Sequence, residues 1–501
     1  MPQQASLELR KLQDRVEKAA RTVGLDFFTT VYEVLDFDEI NMVASYTGFP
    51  TRYPHWKWGM EYERLSKSFE YGMSRIYELV INNNPCYAYL LDSNSMVDQK
   101  LVMCHVTGHN DFFKNNFCFQ HTNRKMIDEM ANHAARIRRY MDWYGVDKVE
   151  SFIDSVLSVD NLIDYHSPYI VRAPQKEVEL DERKGDGEDN LGRLKIDREY
   201  MDRFVNPDEF MDAQRQQNQK KAEEKKKFPR EPTRDVMAFL LMHAPLFPWQ
   251  KDIVEMLRDE AYYFAPQAMT KIMNEGWASY WHSKLMTESV MGPEDLIDFA
   301  DRHASVMATS PTQLNPYKLG MELYRDIEER WNKGQFGSDF DQCNEMAEKR
   351  TWDTKSGLGR KKIFDVRKIY NDVTFIDEFF TLDFCKRQGF FSYAYDRKKQ
   401  EFLIDSREFV KIKKKLLGSL TNLSHPSISI IDGNFENRTE LLLEHHFEGV
   451  ELDPGYAKET LKNLYKLWTR PIHLLTTSED RPMMLSFDGE NYKEKMLSRQ
   501  V

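Results

Sequence analysis

Two stretches of the chain carry groups that could hold a metal ion at helical spacing. His105 and His109 stand four residues apart, which on a helix puts two imidazoles on adjacent turns of one face. Met273 to His282, reading Met-Asn-Glu-Gly-Trp-Ala-Ser-Tyr-Trp-His, carries an acid at Glu275 and an imidazole at His282. Two imidazoles at i and i+4 plus a carboxylate from a second helix are a common zinc set, with the remaining position left to water. His105, His109 and Glu275 are therefore the candidate metal ligands, and zinc is the candidate cofactor. Glu275 and His282 share a helix face, yet seven residues of helix separate their Cα atoms by roughly 10.5 Å. His282 is accordingly placed behind the ligands, in a catalytic supporting role. The usual peptidase motif has Glu directly after the first His, where this chain has Val106. A water-polarising base must come from elsewhere, and Glu260 is the candidate. The competing reading is a buried hydrogen-bond network that holds helices in register, with Trp277, Tyr280 and Trp281 as packing.

The elements that must position these groups are mostly helical. Residues 6–23 place Leu7, Leu9, Leu12, Val16, Ala19 and Ala20 at helical spacing, with Gly24 as a stop. Gly48 to Gly59 reads as an aromatic loop containing His55, and 60–81 as a helix. Cys86 to Asp92 is short and apolar, a strand or a buried extended segment. Residues 95–120 form the helix of the histidine pair. Gly108 inside it costs roughly 1 kcal/mol relative to Ala, which implies that another group packs closely there. The following Asn110-Asp-Phe-Phe-Lys-Asn-Asn-Phe117 mixes amides, charge and aromatics in the manner of a site lining. Pro248 fits a first helical turn, and Pro266 is expected to end one helix and start another.

Up to about residue 340 the pattern is all-helical. After Lys362 it becomes strand (390–395), strand (401–404), helix (407–420), strand (427–431), strand (440–447), helix (453–468) and a final strand (472–475). Asp432-Gly433-Asn434 reads as a turn. The fold class is thus a mainly α N-terminal domain followed by a smaller α+β C-terminal domain. Its segments are a first helical half (1–171), a charged insertion or linker (172–233), a second helical half (234–362) and the α+β domain (363–501). The Lys220 to Lys227 run within the insertion is interleaved with Glu223 and Glu224 and reads as a solvated helix.

The whole chain has 501 residues, and its 70 Lys plus Arg against 81 Asp plus Glu give a net charge of -11. That balance argues against nucleic acid as a partner. No stretch approaches the roughly 18 apolar residues of a membrane span, and the charged N-terminus does not fit a secretory signal. A cytoplasmic protein is expected. The five cysteines never occur as Cys-x-x-Cys, which excludes a thiolate zinc knuckle and a disulfide framework.

Several long blocks resemble one family. His105-Val-Thr-Gly-His-Asn-Asp-Phe-Phe-Lys-Asn-Asn116, Glu260-Ala-Tyr-Tyr-Phe264 and Asn274-Glu-Gly-Trp-Ala-Ser-Tyr-Trp-His282 look like signature blocks of the stage V sporulation protein R (SpoVR) family. So do Asn315-Pro-Tyr-Lys-Leu-Gly320, Asp326-Ile-Glu-Glu-Arg-Trp331 and Asn371-Asp-Val-Thr-Phe-Ile-Asp-Glu378. The resemblance implies a cytoplasmic bacterial or archaeal protein, associated in spore formers with building the peptidoglycan cortex and present also in organisms that make no spores. It brings no settled activity. The Glu-Gly-Trp block also resembles the third-ligand helix of some helical zinc peptidases. Two functions are thus expected: a metal-dependent hydrolase of a peptide or cell-wall-precursor amide, or a non-catalytic helical scaffold. In the second, the C-terminal domain recruits protein partners.

Overall fold

A computed structural model describes residues 3–4, 6–70, 78–170, 228–309, 314–396 and 401–497. The charged insertion, with its Lys220 to Lys227 run, lies outside the described residues up to 227. The chain forms two compact units, one from residues 1–150 and 262–425, the other from 151–261 and 426–501.

The first unit holds the ligand candidates. Its first helix is α1 (Leu7–Thr22), which stops before Gly24, at φ +94. The region up to residue 340 is not all-helical, because four strands form a sheet in the order β1-β2-β4-β3: β1 (Gln3–Gln4), β2 (Thr30–Leu35), β3 (Glu78–Ile81) and β4 (Cys86–Leu91). β2 and β4 run parallel, from Thr30 opposite Cys86 to Leu35 opposite Leu91. The helix expected over 60–81 instead spans Trp56–Glu70, and β3 takes the end of that range. The short apolar run of Val80 and Ile81 carries too few residues to distinguish helix from strand by period. Leu35, Ile81, Tyr89 and Leu91 pack with Phe49, Met126, Met130 and Tyr263 in one core.

The helix of the histidine pair packs against β3 and β4. α2 (Met96–Asn115) starts at Ser95, whose hydroxyl accepts the Asp98 N–H. Every residue from Val102 to Phe113 is buried, so α2 is enclosed on all faces rather than amphipathic. α3 (Pro248–Met269) begins at Pro248 and runs unbroken through Pro266, so the expected division there does not occur. Its end comes at Thr270, whose hydroxyl donates to the Pro266 carbonyl at 2.7 Å. α4 (Lys271–Leu285) follows at once. Next come α5 (Leu296–Val306), α6 (Pro316–Asn332), α7 (Gly359–Ile369) and α8 (Asp372–Phe379). β5 (Ser392–Asp396) and β6 (Glu401–Ser406) pair as a hairpin, and α9 (Phe409–Leu420) follows.

In the second unit β7 (Ile428–Phe435), β8 (Glu440–His445), β9 (Ile472–Ser478), β10 (Arg481–Phe487) and β11 (Tyr492–Met496) form one sheet in the order β11-β10-β9-β8-β7. β8 and β9 are parallel, a geometry that needs a crossover, and α10 (Pro454–Trp468) supplies it. Asp453 caps α10 by accepting the Tyr456 N–H. This sheet and α10 have the α+β character that the pattern implies, but β5, β6 and α9, expected in the same domain, fall in the first unit, and two details differ. Asp432, Gly433 and Asn434 lie inside β7, and the turn falls at Glu436, Asn437 and Thr439, which take positive φ. The strand at 472 is not the last, since the β10–β11 hairpin follows it.

Candidate metal centre

Glycine sets the distance between the helices that carry the ligands. A Cβ at Gly108 on α2 would lie 2.7 Å from the Ala278 Cα on α4. A Cβ at Gly276 on α4 would overlap the backbone of Gly320 on α6. The close neighbour expected at Gly108 is thus the backbone of α4. α4 is also held at its start, where the two carboxylate oxygens of Asp372 accept the Ile272 and Met273 N–H groups at 2.8 and 2.9 Å. Burial pushes the Asp372 carboxyl up to about 7, opposed by those two bonds.

On this frame His105, His109 and Glu275 meet. One ligand atom from each lies within 4.8 Å of the others. Glu275 Oε2 stands 3.4 Å from His109 Nε2 and 3.7 Å from His105 Nε2, longer than the 2.7–2.9 Å of a charge-assisted hydrogen bond. The Glu275 oxygen is buried and makes no hydrogen bond. Both rings are buried, and the glutamate side chain is 17 % exposed.

The far nitrogens of both rings are engaged. His109 Nδ1 lies 2.9 Å from Asn274 Oδ1. An amide oxygen only accepts, so this contact places a proton on His109 Nδ1. His105 Nδ1 is 2.8 Å from His282 Nδ1, and His282 Nε2 is 3.0 Å from His303 Nδ1 on α5. Burial pushes His282 well below its ordinary value and His303 below its own, with neighbouring imidazoles and Arg325 adding to the first and Arg325 to the second. Phe113 stacks on His109 with ring centroids 6.0 Å apart, and Tyr317 lies 6.0 Å from His105.

The structure therefore brings together the three ligand candidates and sets His282 directly behind one of them. Glu260 is buried on the part of α3 that belongs to the second unit, outside the group of converging ligand atoms. Sequence reasoning missed Asn274 and His303. Asn274 was legible as the neighbour of Glu275, whereas His303 lies 21 residues from His282 on a separate helix. In the block after His109 the amides are braces, while Phe113 lies on the His109 ring. Asn110 bonds Phe28 and Thr30, and Asn116 donates to the Arg367 and Tyr370 carbonyls. Cys104, beside His105, is buried with its thiol pushed far up by burial, which leaves it inert as a nucleophile.

No described helix is long and apolar enough to cross a membrane. No solved structure matches the chain. It is similar to the uncharacterized protein YcgB of Escherichia coli (strain K12), 29% identical over 493 residues that cover 93% of this chain and 91% of that protein. Residues 426–479 match the SpoVR-like C-terminal domain. Residues 3–425, which hold every ligand candidate, match the family model described as SpoVR like protein, and the chain belongs to the SpoVR family.

Proposed function

We propose that this protein is a metal-dependent hydrolase acting on an amide of a peptide or cell-wall precursor, with His105, His109 and Glu275 holding the ion. The observation that carries this reading is the approach of His109 Nε2 to within 3.4 Å of a Glu275 oxygen that makes no hydrogen bond. The Nε2 lone pair of a neutral ring and an anionic oxygen repel, so a positive charge belongs between them. Two neutral imidazoles and one carboxylate suit zinc, and leave a dication with net positive charge. Such an ion supplies Lewis acidity and an activated water. The peptide or cell-wall substrate class and a cytoplasmic location follow from what the family resemblance implies for spore cortex formation.

Calorimetric titration of the metal-free protein with zinc or cobalt tests the centre. One ion per chain is expected, with a cobalt absorption spectrum that reports nitrogen and oxygen ligands. Absence of binding by zinc, cobalt, manganese and ferrous iron sinks the reading. Turnover of amide substrates, among them peptidoglycan stem peptides, tests the reaction. A Glu260→Gln variant that keeps the ion and loses turnover assigns Glu260 as the base; unchanged turnover removes it from the mechanism.

A further inference from the structure

The rings that face Glu275 are held from behind by side chains that make no hydrogen bond to it. We propose that Asn274, His282 and His303 are positioning residues, which fix the tautomers of His109 and His105 so that each ring presents an Nε2 lone pair to an ion shared with Glu275. The inference rests on the metal-centre reading only where an ion is concerned.

For His109 a single bond does this, since Asn274 Oδ1 at 2.9 Å requires the proton on Nδ1. For His105 the constraint is passed along a row. A neutral imidazole has one donor and one acceptor nitrogen. If His105 Nε2 bears the lone pair, its Nδ1–H donates to His282 Nδ1, at 2.8 Å. The proton of His282 then sits on Nε2 and donates to His303 Nδ1, at 3.0 Å. His303 in turn keeps its proton on Nε2, at the half-buried end of the row near Arg325 and Glu322. The opposite order places a proton on His105 Nε2, where an ion would have to displace it. The frame of the row is fixed: Lys100 on α2 pairs with Asp295 at 2.6 Å just before α5, and Arg302 on α5 pairs with Asp98 on α2 at 3.0 Å. Ligands held by such outer bonds lose about ten- to a hundredfold in metal affinity when the bond is removed.

The test uses the full chain with nitrogen-15 labelled histidine. In the metal-free protein the ring shifts of His109 are expected to show the proton on Nδ1, and Asn274→Leu to abolish that preference. A proton on Nε2 of His109 in the unsubstituted protein overturns the assignment. In zinc titrations Asn274→Leu and His303→Leu are expected to weaken binding about ten- to a hundredfold. Asn274→Asp and His303→Asn, which retain an acceptor oxygen, are expected to stay within a few fold. Unchanged affinity in His303→Leu, or an equal loss in His303→Asn, overturns the role of His303. A protein that binds no zinc yet carries the His109 proton on Nδ1 defeats the hydrolase reading and leaves the tautomer assignment standing.

Discussion

Two buried polar clusters lie along the same pair of helices, and they are built in opposite ways. Around Asp111, one residue beyond Asn110 on α2, three bonds to the carboxylate are shorter than 3 Å. Trp277 Nε1 and Arg367 donate to Oδ2 at 2.8 and 2.9 Å, and the Asp26 N–H donates to Oδ1 at 2.8 Å. Around Glu275, two residues before Trp277, the nearest ring nitrogens stand off at 3.4 and 3.7 Å. Desolvating an ionised group is repaid only when its hydrogen bonds are complete. The Asp111 carboxylate meets that condition at both of its oxygens, although Arg367 Nε in the same cluster makes no hydrogen bond. The Glu275 carboxylate does not meet it with protein atoms alone, because its Oε2 makes no hydrogen bond.

The largest effect that separates them is on stability. Asp111→Ala leaves the Arg367 charge buried without its carboxylate, and should cost about 3–5 kcal/mol in urea unfolding. Glu275→Gln removes a charge that has no close hydrogen bond, so the metal-free protein should keep its stability within about 1 kcal/mol. Its loss should appear in zinc affinity instead, at least a hundredfold, or about 2.7 kcal/mol. If His105→Ala and Glu275→Gln lower stability as Asp111→Ala does while zinc binding never appears, both clusters are braces. The scaffold reading then takes the place of the hydrolase.

How much of this contrast was visible in the sequence depends on the range of the interaction. The histidine pair and Glu275 could be read, because helical spacing fixes which side chains share a face. That the two faces meet at a point depends on Gly108, Gly276 and Gly320, of which spacing flagged only Gly108. Asn110 and Asp111 have the same composition whether they line a site or brace a strand, and only their partners at Asp26 and Phe28, more than 80 residues away, tell the two apart. The strands Thr30–Leu35 and Glu78–Ile81 escaped as well. Both are short; Thr30–Leu35 pairs with β4 across more than 50 residues, whereas Glu78–Ile81 pairs with it as a local hairpin whose first strand is too short to show a period. The C-terminal part was more legible, since alternating runs and the Asp453-Pro454 cap are local signals.

Gly108 offers a substitution that should strike both clusters at once. It lies between His105 and Asp111 on α2, against the Ala278 backbone. Ala at this position gains about 1 kcal/mol of helix propensity, but overpacking against backbone costs about 1–3 kcal/mol. A net loss on the order of 1 kcal/mol is expected in unfolding, with zinc affinity reduced about tenfold as the ligand helices part. Loss of stability at unchanged zinc affinity would show that the ligand atoms tolerate the shift and that the helix spacing serves the Asp111 cluster alone.

The smallest effect is the dependence on pH, and here the clusters should differ in sign. His282 and His303 are held below their ordinary values by burial and neighbouring charge, while the unfolded chain takes up those protons near 6.5. Their contribution to stability is therefore present above about 6.5 and is lost as pH falls through the lower folded values. Burial pushes Asp111 the other way, to about 6. The folded protein then binds its proton before the unfolded one does, so the Asp111 contribution grows as pH falls from about 6 towards 4. Urea midpoints of the metal-free protein at pH 7.5 and 5.5 read both slopes. Relative to His303→Asn, the unsubstituted protein should lose ground at the lower pH; relative to Asp111→Asn it should gain. The same sign in both comparisons would mean that the two clusters are electrostatically alike, and the distinction between brace and centre would have to rest on metal binding alone.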